Sequence, residues 1–159
     1  MDEREEFSHD IADCIRDFLI TDDWNFDFDD EKGIFRFGVN LSSKLKNVRY
    51  FVNVREDCYA VYAISPINAD IDDKDVIREM NEFVNRANYG LRNGNFELDM
   101  RDGELRYKVY VDCDNLLPSR DVVKNSIVIP SVMFERYSPG ILDVMFRGSS
   151  AEEAVEKCE

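Results

Sequence analysis

Six short segments in which apolar and polar residues alternate decide what this chain can fold into. Four of them follow one another between residues 24 and 65, separated by turns such as the acidic segment 29–33. The other two flank Asp102 and Gly103, and an Asp-Gly pair between alternating segments is a strong signal for a β-hairpin. Since alternation is typical of strands with one buried face, we expect a four-strand meander plus a hairpin.

Two segments with apolar residues at every third or fourth position predict amphipathic helices. The first runs from about Asp2 to Thr21 and carries acidic residues in its first turn, where they complement the helix dipole. The second follows the acidic segment 70–75, whose aspartates can cap it, and Gly94 is expected to follow its end.

The last third of the chain, from Ser119 onward, is also expected to be helical. Pro130 removes a backbone donor, so we expect a kink or a new helix there, and Pro139 with Gly140 marks a second break. Residues 148–159 are interpreted as a short helical tail that begins with a capping box.

The element order α-β-β-β-β-α-β-β-α(α) predicts an α+β fold, with an antiparallel sheet and helices on one face. The chain has 159 residues, of which 44% are hydrophobic, so it can form a core of ordinary size. We expect residues 1–159 to form a single domain, because no linker long enough to divide them is present.

The net charge and the cysteines limit the partners and the cellular compartment that we expect for this chain. The net charge of −14 repels phosphate backbones and anionic lipids, so neither nucleic acid nor a membrane is an expected partner. No apolar run approaches the ~18 residues of a membrane span, and the acidic N-terminus lacks the apolar region of a signal peptide. The four cysteines form no CxxC pair, which favours reduced thiols and a cytoplasmic protein.

The residue types that usually carry catalysis are scarce. The single histidine, His9, lies between Ser8 and Asp10, and three adjacent helical residues point in different directions and cannot form a triad. The glycine patterns of nucleotide-binding loops are absent, as is a close set of zinc ligands. We therefore expect no enzyme activity and no cofactor.

The segment from Asp22 to Glu31 is dense in oxygen ligands and raises the alternative of a cation site. An EF-hand loop needs glycine at its sixth position and glutamate at its twelfth, and a loop that starts at Asp23 has Phe28 and Ile34 there. The acids are explained more simply as the solvated side of a strand, which is the interpretation that we favour.

Three segments resemble the YbjN family of bacterial proteins. They are EFVNRANYGLRNGNFELDMRDGELRYKVYVDC (82–113), DWNFDFDDEKGIFRF (23–37) and MFERYSPGILDVMFRGSSAEEAV (133–155). The most specific element is Asn85 and Asn88, followed by Gly94, Phe96 and the Asp-Gly hairpin. The resemblance covers about Ile11 to Val155.

The resemblance carries expectations of its own. The YbjN family is similar in fold to the type III secretion chaperones, so it implies a chaperone-like α+β fold that is frequently dimeric. It also implies function by protein contact in a bacterial cell, and it supplies no catalytic residues.

We expect a protein-binding module whose partner is a protein, a peptide or a second copy of the chain. Surplus apolar surface in the last third and the end of the second helix supply the candidate contacts: Met133, Phe134, Tyr137, Ile141, Met145, Phe146, Asn85, Asn88 and Tyr89. The alternative for the apolar residues is that they are buried within the monomer. The alternative for the asparagine pair is that its side chains bind strand edges or loop backbone.

Two other functions remain open at this stage. An aromatic-lined pocket on the sheet near Trp24, Tyr50 and Tyr62 would suit a small molecule or an enzymatic role. The acidic surface would also suit a mimic of nucleic acid, although interspersed lysine and arginine residues make a solvated face the better explanation.

Overall fold

The computed structural model describes residues 6–159. Within that range the chain forms four helices and one antiparallel six-stranded sheet in the order β1-β2-β3-β4-β6-β5. The elements are α1 (His9–Thr21), β1 (Asp27–Asp29), β2 (Ile34–Asn40), β3 (Asn47–Val54), β4 (Cys58–Ile64), α2 (Lys74–Asn88), β5 (Asn95–Leu98), β6 (Leu105–Asp112), α3 (Arg120–Phe146) and α4 (Ala151–Cys158). The predicted α+β fold and its element order are confirmed.

The sheet buries one face against the helices. Register pairs such as Phe35 with Val52 and Val61 with Val109 place buried side chains opposite one another across neighbouring strands. The strand residues on this side are Phe35, Phe37, Val48, Tyr50, Val52, Val54, Tyr59, Val61, Ala63, Phe96, Leu105, Tyr107 and Val109, all of them buried. Because side chains alternate along a strand, the residues between them form the opposite face, whose central side chains are half-buried or exposed.

The first helix begins later than its apolar periodicity suggested. Residues 2–5 of the predicted helix lie outside the described residues, and the first helical residue is His9. The Ser8 hydroxyl accepts a hydrogen bond from the Ile11 amide at 3.1 Å, which caps the helix. Phe7 precedes this cap and packs against the turn at Gly33, so its side chain belongs to a loop contact and not to the helical stripe.

The second helix ends earlier than expected. Asp73 caps its start as predicted, but the last helical residue is Asn88, and Gly90 adopts a φ of +89° just beyond it. Gly94 therefore does not end the helix. It has a φ of +77° and lies against the Lys108 carbonyl oxygen, where a Cβ atom would collide with strand β6.

The third helix is continuous through both prolines, so no new helix starts at Pro130 and no break lies at Pro139 and Gly140. Proline at position 139 cannot donate to the Glu135 carbonyl, but the Ser138 hydroxyl donates to that oxygen at 3.2 Å instead. Burial along the helix, including that of Pro130 itself, offsets the local cost of each proline. No helix of the described residues, α3 included, is long and apolar enough to cross a membrane.

The tail predicted at residues 148–159 is a packed helix. Ser150 caps α4, and the Ala151 amide donates to a Glu79 carboxylate oxygen on α2 at 2.7 Å. On the other side, Gly140 of α3 leaves room for the α4 backbone, since a Cβ atom there would lie 2.6 Å from the Ala154 carbonyl oxygen. The C-terminal helix is thus held between α2 and α3.

Buried tyrosine hydroxyls tie these layers together. Tyr59 on β4 shares a hydrogen bond with Ser126 of α3 at 2.8 Å, and Tyr107 on β6 donates to the Asn93 carbonyl. Tyr137 of α3 donates to the Glu159 carboxylate at 2.9 Å. Burial raises the pKa of each of these three phenols from about 10 to about 12, because the phenolate form loses its hydration.

Stability is expected to fall as the pH rises from about 10 to about 12. A phenol whose pKa is higher in the folded state contributes its full stability below the unfolded pKa of about 10, and loses it as the pH passes through the folded pKa. Urea unfolding at several pH values measures this loss. Tyr59→Phe should flatten the pH profile, whereas Tyr89→Phe, at a solvent-exposed position, should leave it unchanged. Equal profiles for the two variants would contradict this explanation.

Candidate functional site

Four predicted partner residues belong to the core. Phe134, Tyr137 and Ile141 are at most 1% exposed, and the first two contact Phe96 of β5 edge to face at 5.4 and 5.5 Å. Met145 is also buried. Apolar residues can lie on all sides of α3, because the sheet covers one side of the helix while α2 and α4 cover others. These four residues are not available to a partner in this fold, which corrects the expectation of surplus apolar surface.

The remaining predicted contacts do not form one surface. Phe146 is 68% exposed at the end of α3, and Met133 is half-buried. Tyr89 is 92% exposed and lines a shallow depression with Asn85 and residues of α4. Neither Met133 nor Phe146 lines that depression.

Asn88 has a structural task at the sheet edge. Its side-chain oxygen accepts from the Phe96 amide at 2.7 Å, and its side-chain nitrogen donates to the Phe96 carbonyl at 2.8 Å. The amide therefore pairs with β5 as a neighbouring strand would, and occupies backbone groups that an edge strand otherwise leaves free. This contact agrees with the interpretation in which the asparagine satisfies a strand edge.

Asn88→Ala is expected to lower the free energy of unfolding by about 1–3 kcal/mol, because the Phe96 amide loses its partner and the Phe96 carbonyl keeps only the Asn95 side-chain amide at 3.2 Å. Asn85→Ala is the matched control, since Asn85 lies on the same helix and is exposed. Urea denaturation of the two variants measures the difference. Equal stability of the two would show that the Asn88 amide does not hold the edge.

The predicted aromatic pocket is not formed. Tyr50 faces the helices, where its hydroxyl donates to the Ile127 carbonyl at 2.7 Å, and Trp24 packs on the same side against Phe37 at 5.3 Å. Tyr62 points to the opposite side of the sheet, in register with Phe51. The three aromatic residues lie on two faces and cannot line one pocket.

Several carboxylates in the acidic segment 22–31 have local partners. Asp22 accepts from the Trp24 indole at 2.9 Å, and Asp29 accepts from the amides of Glu31 and Lys32 at 3.1 Å. Within residues 6–159 no group of three or more His, Cys, Asp or Glu side chains is placed to hold a metal ion. The segment forms a turn, and only Asp27–Asp29 pair as strand β1.

The side of the sheet away from the helices is the best candidate for a contact surface. We call it the open face, and its central side chains are Arg36, Arg49, Phe51, Asn53, Ala60, Tyr62, Arg106, Lys108 and Tyr110. Phe51 and Tyr62 are half-buried by their neighbours, and Tyr110 is 58% exposed. The Asn53 side-chain oxygen is buried without a hydrogen-bond partner among the described residues.

Strand register places four of these side chains in one row. Arg36 lies opposite Phe51, Phe51 opposite Tyr62, and Tyr62 opposite Lys108, on β2, β3, β4 and β6 in turn. Since neighbouring strands are about 4.8 Å apart, the row is about 14 Å long. It has an aromatic pair in the middle and a cation at each end.

Charge on the open face contrasts with that of the whole chain. Its four central strands present four cations and one acid, Asp112, while the edge strands add Asp27 and Asp29 on β1 and Glu97 on β5, so the positive charge lies at the centre of the face. Arg106 is held by Glu97 at 2.9 Å. Arg49 and Lys108 form no ion pair with any residue in the range 6–159 and are free to bind an anion.

Two guanidinium groups rest on the aromatic residues of the row. The Arg106 guanidinium carbon lies 4.4 Å from the Tyr62 ring centroid, and that of Arg36 lies 5.7 Å from the Phe51 ring centroid. Such contacts place the cations directly above the apolar centre of the face. The surface therefore offers an apolar patch with positive charge around and above it.

No protein-family model matches this chain, and no curated protein sequence matches it. The resemblance to the YbjN family stays a prediction from the three segments quoted above. What the open face can bind follows from its own side chains and their arrangement.

The alternation of the strands concealed this surface in the sequence. Polar positions of an alternating strand are ordinarily solvated, so the sequence indicates only a solvent-exposed sheet face at these residues. The signal that could have revealed it is the presence of Phe51, Tyr62 and Tyr110 at those polar positions.

Proposed function

We propose that this chain is a non-enzymatic polypeptide-binding module, cytoplasmic in a bacterial cell, and that the open face is its contact surface. The observation that carries the proposal is the Phe51–Tyr62 pair, which lies in the centre of a sheet face whose central side chains are half-buried or exposed. Aromatic residues ringed by polar groups are the usual centre of a protein contact.

The size and shape of the open face favour a macromolecular partner. Five strand spacings of about 4.8 Å, and strands of up to eight residues, give a surface about 24 Å in each direction. Its area of roughly 600 Å² approaches the ~800 Å² that each partner buries in a standard interface. Small-molecule sites, in contrast, are typically concave.

The resemblance to the YbjN family supports the same class of function, since it implies protein contact in place of catalysis. A second copy of the chain is one partner that the resemblance suggests. The candidates left on the helical side, Tyr89 and Phe146, provide the natural comparison surface because both are exposed.

Quantitative affinity capture from native cell extract tests the proposal. The baits are the wild-type protein, an open-face variant (Phe51→Ser with Tyr62→Ser) and a helical-side variant (Tyr89→Ser with Phe146→Ser). We expect the wild type and the helical-side variant to capture the same polypeptides and the open-face variant to lose them. Circular dichroism and thermal unfolding check that each bait is folded. Unchanged capture by a folded open-face variant would contradict the assignment of this surface.

A further inference from the structure

We infer that the open face binds an extended acidic segment of a partner polypeptide, with the pattern acid, any residue, apolar residue, any residue, acid. The inference rests on the proposed function and adds the chemistry of the partner to it. The segment lies across the strands, along the row from Arg36 through Phe51 and Tyr62 to Lys108.

The length of the row matches the repeat of an extended peptide. The two cations are three strand spacings apart, which is about 14 Å, and four residues of extended chain also span about 14 Å. Side chains at the first, third and fifth positions of such a peptide point to the same side. Acids at the first and fifth positions thus reach Arg36 and Lys108, while the third side chain lies at the middle of the row, beside the Phe51 ring and the Arg106 side chain that covers Tyr62.

Charge complementarity selects an acidic segment over a neutral or basic one. Lys108 and Arg49 have no carboxylate partner within residues 6–159, whereas Arg36 lies 3.9 Å from the Asp29 carboxylate and opposite Asp27 of β1. Carboxylates of a peptide would form charge-assisted hydrogen bonds with these groups. The negative charge over the rest of the chain repels longer acidic surfaces, so a short segment is the form of acid that can dock.

The covered ring of Tyr62 argues against nucleic acid on the same surface. Single-stranded nucleic acids bind sheets by stacking their bases on exposed aromatic rings. Arg106 already lies 4.4 Å above the Tyr62 ring and is held there by Glu97, so a base would have to displace it. The net charge of −14 also opposes a polyphosphate.

A second copy of the chain docked face to face is disfavoured for an electrostatic reason. A two-fold interface places the same patch on both partners, so the cations of one open face would lie opposite those of the other. Like charges brought together in an interface weaken it. A separate acidic segment meets no such penalty.

The test is a titration of isotope-labelled protein with synthetic peptides, followed by amide chemical shifts. The first peptide has the core Glu-Ser-Leu-Ser-Glu, the second replaces both glutamates with glutamine, and the third replaces leucine with serine. We expect the first peptide to shift amides of β2, β3, β4 and β6, and to bind about tenfold more tightly than either of the others. The gain should shrink as salt is added, since exposed ion pairs are screened.

Charge reversal locates the contact. Arg36→Glu with Lys108→Glu should weaken binding of the glutamate peptide by about tenfold or more. Lys124→Glu with Arg120→Glu, a reversal of equal size at exposed positions of α3, should change it less than about twofold. A peptide affinity that falls equally in both variants would overturn the inference, because only the net charge would then matter.

The remaining outcomes separate this inference from the proposed function. Equal binding of the glutamine and glutamate peptides at the open face overturns the acidic pattern and leaves the proposed function standing. Tighter binding of a single-stranded oligonucleotide, with shifts of the same amides, also overturns the inference of an acidic peptide. A shift of these amides that depends on protein concentration without peptide overturns it too. The proposed function itself fails if the folded open-face variant also captures the same polypeptides as the wild type.

Discussion

Phe134→Ala is expected to lower the free energy of unfolding by about 3–5 kcal/mol. The Phe134 side chain has no exposed surface and contacts Phe96 edge to face, so its removal leaves a cavity between α3 and the β5–β6 hairpin. Urea denaturation, monitored by far-ultraviolet circular dichroism, measures the loss. The result matters because the sequence presented this residue as a partner contact.

Phe146→Ala is the matched control for this substitution. It removes the same side chain from the same helix, but at a position that is 68% exposed, so the free energy of unfolding should change by less than about 0.5 kcal/mol. If Phe134→Ala kept wild-type stability and instead lost the captured partner, the burial of α3 described above would be contradicted.

Gly140→Val is expected to lower the free energy of unfolding by about 2–3 kcal/mol. A Cβ atom at this position would lie 2.6 Å from the Ala154 carbonyl oxygen, 2.8 Å from the Phe83 ring and 2.9 Å from the Cys158 sulfur. Two of these neighbours belong to α4 and one to α2, so the substitution pushes α4 and α2 away from α3. Thermal unfolding and urea denaturation both report the loss.

Lys124→Val provides the control for the intrinsic preferences of valine in a helix. Lys124 is exposed on α3, where a valine side chain meets solvent. The β-branched residue costs only about 0.5 kcal/mol there. If Gly140→Val were no more destabilising than Lys124→Val, then α4 would not be packed against α3 as closely as the distances indicate.

Local patterns predicted the elements of the fold well because each pattern reflects a local cause. Alternation marked β2, β3, β4 and β6, and the Asp-Gly pair marked the hairpin, whose β5 strand is shorter than the alternation suggested. The two prolines of α3 misled the prediction, because the proline rule considers only the lost amide. It does not include the Ser138 hydroxyl that replaces one hydrogen bond, or the burial that stabilises the continuous helix.

The site depended on information that is not local. Phe51 and Tyr62 could have been noticed as aromatic residues on the polar side of their strands. Their place in a row with Arg36 and Lys108 depends on strand register and on β6 lying next to β4, which the chain order alone does not determine. Burial of Phe134 likewise depends on where α2 and α4 pack, so the apolar helix suggested an interface that the fold does not expose.

Site-specific photocrosslinking in living cells tests the open face most directly. A benzophenone amino acid replaces Tyr62 in one protein and Tyr89, on the exposed end of α2, in another. We expect polypeptide crosslinks from position 62 that are absent or much weaker from position 89. Crosslinks from position 89 alone, or no polypeptide crosslinked at position 62 by a folded protein, would contradict the central claim.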